Sequence, residues 1–105
     1  MTWGRQNSES EAFEQMDYSL DKGVNFFDTA ELYPVPATPD RYADTERIIG
    51  NWLKSRKTRE KIILASKIAG PGDYTAHIRK TGFKGNSIED AINGSLERLK
   101  TDYID

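Results

Sequence analysis

Apolar positions along the chain fall into two patterns: residues three or four apart, as on one face of a helix, and short unbroken runs, as in a buried strand. Phe13, Met16 and Leu20, with Ala12 beside them, have helical spacing. Ser8 and Glu11 stand three residues apart just ahead of them, the spacing at which a hydroxyl and a carboxylate each satisfy the other's free backbone N–H. Lys22-Gly23 supplies a basic last turn and a glycine stop, so a helix is predicted between these signals. Val24 to Phe27 is an apolar run, a short buried strand closed by Asp28. Residues 29–43 form a loop, because Pro34, Pro36 and Pro39 exclude both helix interior and central strand.

The alternation then repeats. Asp44 or Thr45 is placed to cap a second helix with Ile48, Ile49, Trp52 and Leu53 inward, in which Gly50 is a weak point unless a close packing contact requires it. Lys54 to Lys61 is a basic turn, and Ile62 to Lys67 a second strand. A second loop, Ala69 to Asn86, carries Gly70, Pro71, Gly72, Gly82 and Gly85. Ser87 with Asp90 opens a third helix with Ile88, Ala91, Ile92, Leu96 and Leu99 inward, and Tyr103-Ile104-Asp105 begins a third strand. Strand starts at Val24, Ile62 and Tyr103 recur about every forty residues without self-similarity. Helix-strand alternation of this kind predicts an α/β protein with a parallel sheet. The 105 residues form one domain, and the final strand reads as cut off midway.

Composition narrows the functional classes. The net charge is −2, with 15 basic and 17 acidic residues in no single-sign block, so a nucleic-acid footprint is not expected. No apolar stretch reaches the roughly 18 residues of a membrane span, and the N-terminal residues lack the apolar core of a signal peptide. The absence of cysteine excludes disulfides and thiolate metal sites, no metal is expected, and a cytoplasmic location fits.

Asp28 and Lys67 each end an apolar run, one βα unit apart. Strand ends of parallel sheets are where α/β proteins build active sites, so the two are expected within salt-bridge reach. Tyr33 follows five residues after Asp28 and is expected near Lys67, though less firmly fixed. This combination suits carbonyl reduction. Hydride addition leaves an alkoxide that needs a proton; a tyrosine hydroxyl, with a free pKa of about 10, is a reluctant acid until an ammonium stabilises its phenolate. A carboxylate in turn keeps the ammonium charged and oriented.

Asp28-Thr29-Ala30-Glu31-Leu32-Tyr33, Ile48-Ile49-Gly50 and Leu64-Ala65-Ser66-Lys67 together resemble the aldo-keto reductase family. The segments Tyr33-Pro34-Val35-Pro36 and Gly50-Asn51-Trp52-Leu53 resemble most its bacterial, Tas-like branch. The resemblance covers Thr2 to Asp105. It implies a (β/α)8 TIM barrel, of which this chain is a partial, N-terminal portion, because such a barrel needs about 250 residues. It further implies NADPH (the NADP couple) as cofactor, an aldehyde or ketone as small-molecule substrate, Tyr33 as proton donor, and Lys67 and Asp28 as its supports. Asp28 is also placed at the cofactor. Trp3 is expected either to touch nicotinamide or substrate or simply to pack.

The departures from the family set the counter-expectations. The family's catalytic histidine belongs to the strand that opens at Tyr103, and no histidine follows here. The family's adenine and phosphate site lies in a C-terminal half that is not present. The isolated chain is therefore expected to be inactive and to self-associate through open sheet edges. A non-catalytic module or a regulatory subunit on a reductase scaffold is the alternative. His77, the single histidine, is expected to be a loop residue, Trp52 a core residue, and Gly70-Pro71-Gly72 no phosphate loop.

Overall fold

The computed structural model describes residues 1–80 and 82–105. Helix α1 spans Glu9–Asp21. Its capping box forms as the spacing predicts: the Glu11 N–H donates to Ser8 Oγ at 3.2 Å, and the Ser8 N–H to Glu11 Oε2 at 2.8 Å. Gly23, at φ +85°, turns the chain out of the helix in a conformation an L side chain would resist. Strand β1, Phe26–Asp28, pairs in parallel with β2, Ile63–Ala65, in the register Phe26 to Ile63, Phe27 to Leu64 and Asp28 to Ala65. Both strands are shorter than the apolar runs that predict them.

Helix α2, Asp44–Arg56, packs against α1 on one side and against α3, Ser87–Leu99, on the other. Neither expected cap forms. Ala43, with a left-handed backbone at φ +65°, precedes α2 and offers no side-chain acceptor. The Thr45 hydroxyl instead donates to the Trp3 carbonyl at 2.7 Å, tying the start of α2 to the N-terminal segment. At α3 the Ser87 hydroxyl donates to the Lys84 carbonyl at 2.8 Å, and Asn86 precedes the helix without a side-chain cap.

The core is one-sided. Ala12 and Met16 of α1, Ile48, Ile49, Trp52 and Leu53 of α2, Ile62, Leu64 and Leu99 enclose it, with Phe27 packed at its edge. The Phe27 and Trp52 rings lie 5.5 Å apart. Side chains alternate across a strand, so Phe27 and Leu64 face the helices while Phe26, Asp28, Ile63 and Ala65 face the other way. Among the described residues no helix covers that other face: Val24, Phe26 and Ile63 are 54%, 58% and 43% exposed. The strands are therefore buried on one face, not on both. Ile88 and Ile92, expected inward on α3, are likewise exposed, and the buried side of that helix is Ala91, Ser95 and Leu99. Helical spacing identifies an apolar stripe but not whether anything covers it.

Gly50 has the close contact that the sequence left open. A Cβ built there would lie 2.2 Å from the Arg98 carbonyl oxygen and 2.8 Å from the Leu99 carbonyl carbon, so α2 and α3 cross on the bare backbone of this residue. The chain end lies beside β2 without forming a strand. The Asp105 N–H donates to the Leu64 carbonyl at 3.0 Å, but the Leu64 N–H is taken by the Asp105 carboxylate at 2.9 Å. One main-chain bond therefore joins the two segments, and the Asp105 side chain takes the Leu64 N–H.

Candidate active site

Three backbone bonds extend the pairing of β1 and β2 beyond the strands, two of them at the edge that carries the site. The Ile63 N–H donates to the Asn25 carbonyl, the Thr29 N–H to Ala65, and the Glu31 N–H to Lys67, at 2.8, 2.9 and 2.9 Å. The ladder delivers Asp28 and Lys67 to the same C-terminal edge of the sheet. Lys67 Nζ donates to Asp28 Oδ2 at 2.6 Å and to the Thr29 carbonyl at 2.6 Å. Lys67 Nζ also lies 5.2 Å from the centroid of the Tyr33 ring, which is half-buried. The loop bearing Tyr33 is pinned at both ends of that residue: its N–H donates to the Ala30 carbonyl at 3.1 Å, and its carbonyl accepts from the Thr45 N–H at 3.3 Å.

The Asp28 and Lys67 side chains are 55% and 48% exposed. An ion pair this open to water is worth about 0–1 kcal/mol, so fold stability is a poor account of it. An ammonium has three donors, and two are engaged by Asp28 and Thr29. This geometry can polarise or stabilise an oxygen brought to the bare face of the sheet, with the Tyr33 ring alongside.

Trp3 is half-buried and packed against the core. Its indole N–H donates to Gln15 Oε1 at 2.9 Å, and its ring lines a cavity of about 200 Å³ with Met16, Val24, Phe27 and Asp28. Trp52 is fully buried, with its N–H on Asp17 Oδ1 at 2.7 Å. Arg56 bonds the same carboxylate, and these two donors, Arg56 first, hold the Asp17 carboxyl below its usual range. His77 is exposed and lies edge-on to Tyr42 at 5.8 Å, in the loop after β2 as expected. Among the described residues no cluster of histidine, aspartate or glutamate could hold a metal ion, and no helix is long and apolar enough to cross a membrane.

Beneath the surface pair lies a second set of charges that the sequence does not disclose. Glu31 is buried and accepts from Arg79 Nη2 at 2.9 Å and from the Ala69 N–H at 2.9 Å. Glu46, with no exposed surface, accepts from Arg98 Nε at 2.7 Å and from the Ser66 hydroxyl at 2.7 Å. Arg98 also approaches Glu31 to 4.0 Å and so joins the two pairs. The only sequence signal was position: Glu31 lies between Asp28 and Tyr33.

The profile of the aldo/keto reductase family matches residues 1–105. The protein named Protein tas of Escherichia coli is 45% identical over 107 residues, covering 100% of this chain and 31% of its own length. Norsolorinic acid reductase A of Aspergillus parasiticus is 34% identical over 98 residues, covering 90% of this chain and 24% of its own. Among solved structures, an aldo-keto reductase from Bacillus halodurans in its holo form superposes with a TM-score of 0.64 at 33% identity, over 93% of this chain and 30% of that one. The chain thus spans about a third or less of the length of these relatives.

Proposed function

Because the chain belongs to the aldo/keto reductase family and folds as part of a (β/α)8 barrel, we propose that its strand-end residues form the proton-donating half of a site for reducing an aldehyde or ketone to an alcohol. The observation that carries this reading is the 2.6 Å Lys67–Asp28 pair at the open end of the sheet, with Tyr33 against the ammonium. In this reading the Tyr33 hydroxyl binds the carbonyl oxygen and donates its proton as negative charge develops there. Lys67 stabilises the phenolate that remains, and Asp28 keeps the lysine charged and aimed.

The cofactor this family implies is NADPH. The residues at the sheet edge fit one end of it. Asp28 spends Oδ2 on Lys67, which leaves Oδ1 as an acceptor for a ribose hydroxyl, and Trp3 and Asp28 share one cavity wall. Neither side chain suits a phosphate, so the proposed contact is with the nicotinamide riboside portion. When bound, the cofactor supplies the hydride to the carbonyl carbon. Asp28 and Trp3 would fix the riboside, and Lys67 and Tyr33 would orient the carbonyl oxygen.

The substrate class is a small carbonyl compound, with no nucleic-acid or membrane partner in this reading. The chain alone, as a 105-residue molecule, is proposed not to turn over, since holding hydride donor and acceptor together is worth roughly 7–11 kcal/mol in favourable cases and needs more surface than one sheet edge. The test is to graft residues 1–105 in place of the matching segment of the Bacillus halodurans reductase and to follow NADPH oxidation with an aromatic aldehyde. Turnover by the hybrid, and none above background by the 105-residue chain, is the expected result. A folded, cofactor-binding hybrid without turnover would overturn the reading.

A further inference from the structure

The buried Glu31–Arg79 pair has no place in proton donation, yet it holds the backbone that carries the proposed site. The Glu31 carboxylate accepts the Ala69 N–H, and Arg79 Nε donates to the Ala69 carbonyl at 3.0 Å, so the pair grips both main-chain polar groups of one residue. The Glu31 main chain donates to the Lys67 carbonyl at 2.9 Å. One acidic residue thus fixes the second strand's exit at positions 67 and 69. It lies two residues before Tyr33, whose own N–H bonds Ala30. The side chains of Glu31 and Arg79 are 7% and 9% exposed, which is costly for charges and is offset only by complete hydrogen bonding. Apolar residues of similar volume often replace such a pair without loss of stability, so stability alone is a weak account of it. An apolar pair could not bond Ala69.

We propose that Glu31, clamped by Arg79, is a positioning residue that sets Tyr33 against Lys67. The proposal rests on the reading of Tyr33 and Lys67 given above. The pair acts through the two loops that leave β1 and β2: it joins the Tyr33 loop to the Lys67 loop at the depth where both turn away from the sheet. A displacement of about 1 Å at a reacting group can cost about 100-fold in rate, so a loosened clamp is felt in turnover and not in substrate affinity.

Two measurements test it. In the 105-residue chain, proton–proton contacts between the Lys67 side chain and the Tyr33 ring should be present, and should vanish in Glu31→Gln while the β1–β2 amides stay protected from exchange. Contacts that persist in a folded Glu31→Gln chain would overturn the proposal. In the hybrid reductase, Glu31→Leu combined with Arg79→Met leaves the buried Ala69 N–H and carbonyl without partners, so the unfolding midpoint should fall by several degrees while the hybrid stays folded, kcat should drop by about 10- to 100-fold and KM should stay within about twofold. A kcat within about twofold of the unmodified hybrid in that folded double variant would mean that the pair is merely structural. Tyr33→Phe in the same hybrid separates the two failures. If it leaves turnover intact, the reading of the site fails and the proposal with it. If it removes turnover while the Glu31 and Arg79 variants do not, the positioning role alone fails.

Discussion

Gly50→Ala sets a favourable local effect against an unfavourable packing one, and the geometry decides between them. Alanine in place of glycine inside a helix is favoured by about 1 kcal/mol. Here the added Cβ would sit 2.2 Å from the Arg98 carbonyl oxygen, 2.8 Å from the Leu99 carbonyl carbon and 2.9 Å from Leu99 Cα. All three obstacles are backbone of α3, so no side chain can swing aside, and the two helices must part by roughly 1 Å in a close-packed interior. Overpacking of this kind costs about 1–3 kcal/mol, and the upper end applies to a backbone obstacle. The movement also pulls Arg98 from Glu46, a buried ion pair with Nε to Oε2 at 2.7 Å. Breaking such a pair costs up to about 3–5 kcal/mol if the carboxylate is left alone. A net loss of about 2 kcal/mol is expected even if part of the pair is retained. With a urea m-value of about 1–3 kcal/mol/M, the midpoint should fall by about 1 M. The assay is a urea titration followed by far-ultraviolet circular dichroism and tryptophan fluorescence. Gly82→Ala is the control, because its Cβ would meet nothing within 4 Å and its midpoint should barely move. A Gly50→Ala midpoint equal to or above that of the wild type would refute the argument, since the helix-propensity gain would then have won.

Two further outcomes follow from other parts of the molecule. Asp17 is held below its ordinary value of 3.8 by Arg56 and then Trp52. Its contribution is therefore present above that pH and lost as pH falls through the lower folded-state value; the melting-temperature difference between wild type and Asp17→Asn should be full at pH 6 and shrink toward zero in strong acid, and a constant difference would contradict it. The uncovered sheet face around Phe26 and Ile63 should drive self-association, so sedimentation at micromolar concentration should show species above the monomer mass, and Phe26→Lys should reduce them. A compact monomer at every concentration would count against that expectation.

What the sequence made legible was local. The capping box of α1 lies within four residues, and the core face of α2 repeats at helical spacing, so both are plain in the sequence. Asp28 and Lys67 were legible as a pair because each ends an apolar run in consecutive units and a parallel register leaves them little choice. The close approach at Gly50 could be named only as a possibility, because the obstacle is the backbone of Arg98 and Leu99, far along the chain. The left-handed Ala43 ahead of α2 carried no signal, since alanine is not a residue that announces that conformation. The Glu31–Arg79 pair was hidden for two reasons: its members lie 48 residues apart, and charged residues are placed on the surface by default. The exposure of Ile88 and Ile92 was illegible in the opposite sense, as an apolar stripe without a covering layer.

In the proposed reading Tyr33 gives the proton, and Lys67 and Asp28 make it able to. Single-turnover reduction of an aromatic aldehyde by the hybrid reductase, with NADPH saturating, measures that step most directly. Tyr33→Phe keeps the ring and removes only the hydroxyl, and general acid catalysis is typically worth about 10²- to 10⁴-fold. The account predicts a loss in that range for Tyr33→Phe, with NADPH binding unchanged, and a smaller loss in the same step for Asp28→Asn. A Tyr33→Phe hybrid that reduces the aldehyde within a few-fold of the unmodified rate would contradict it.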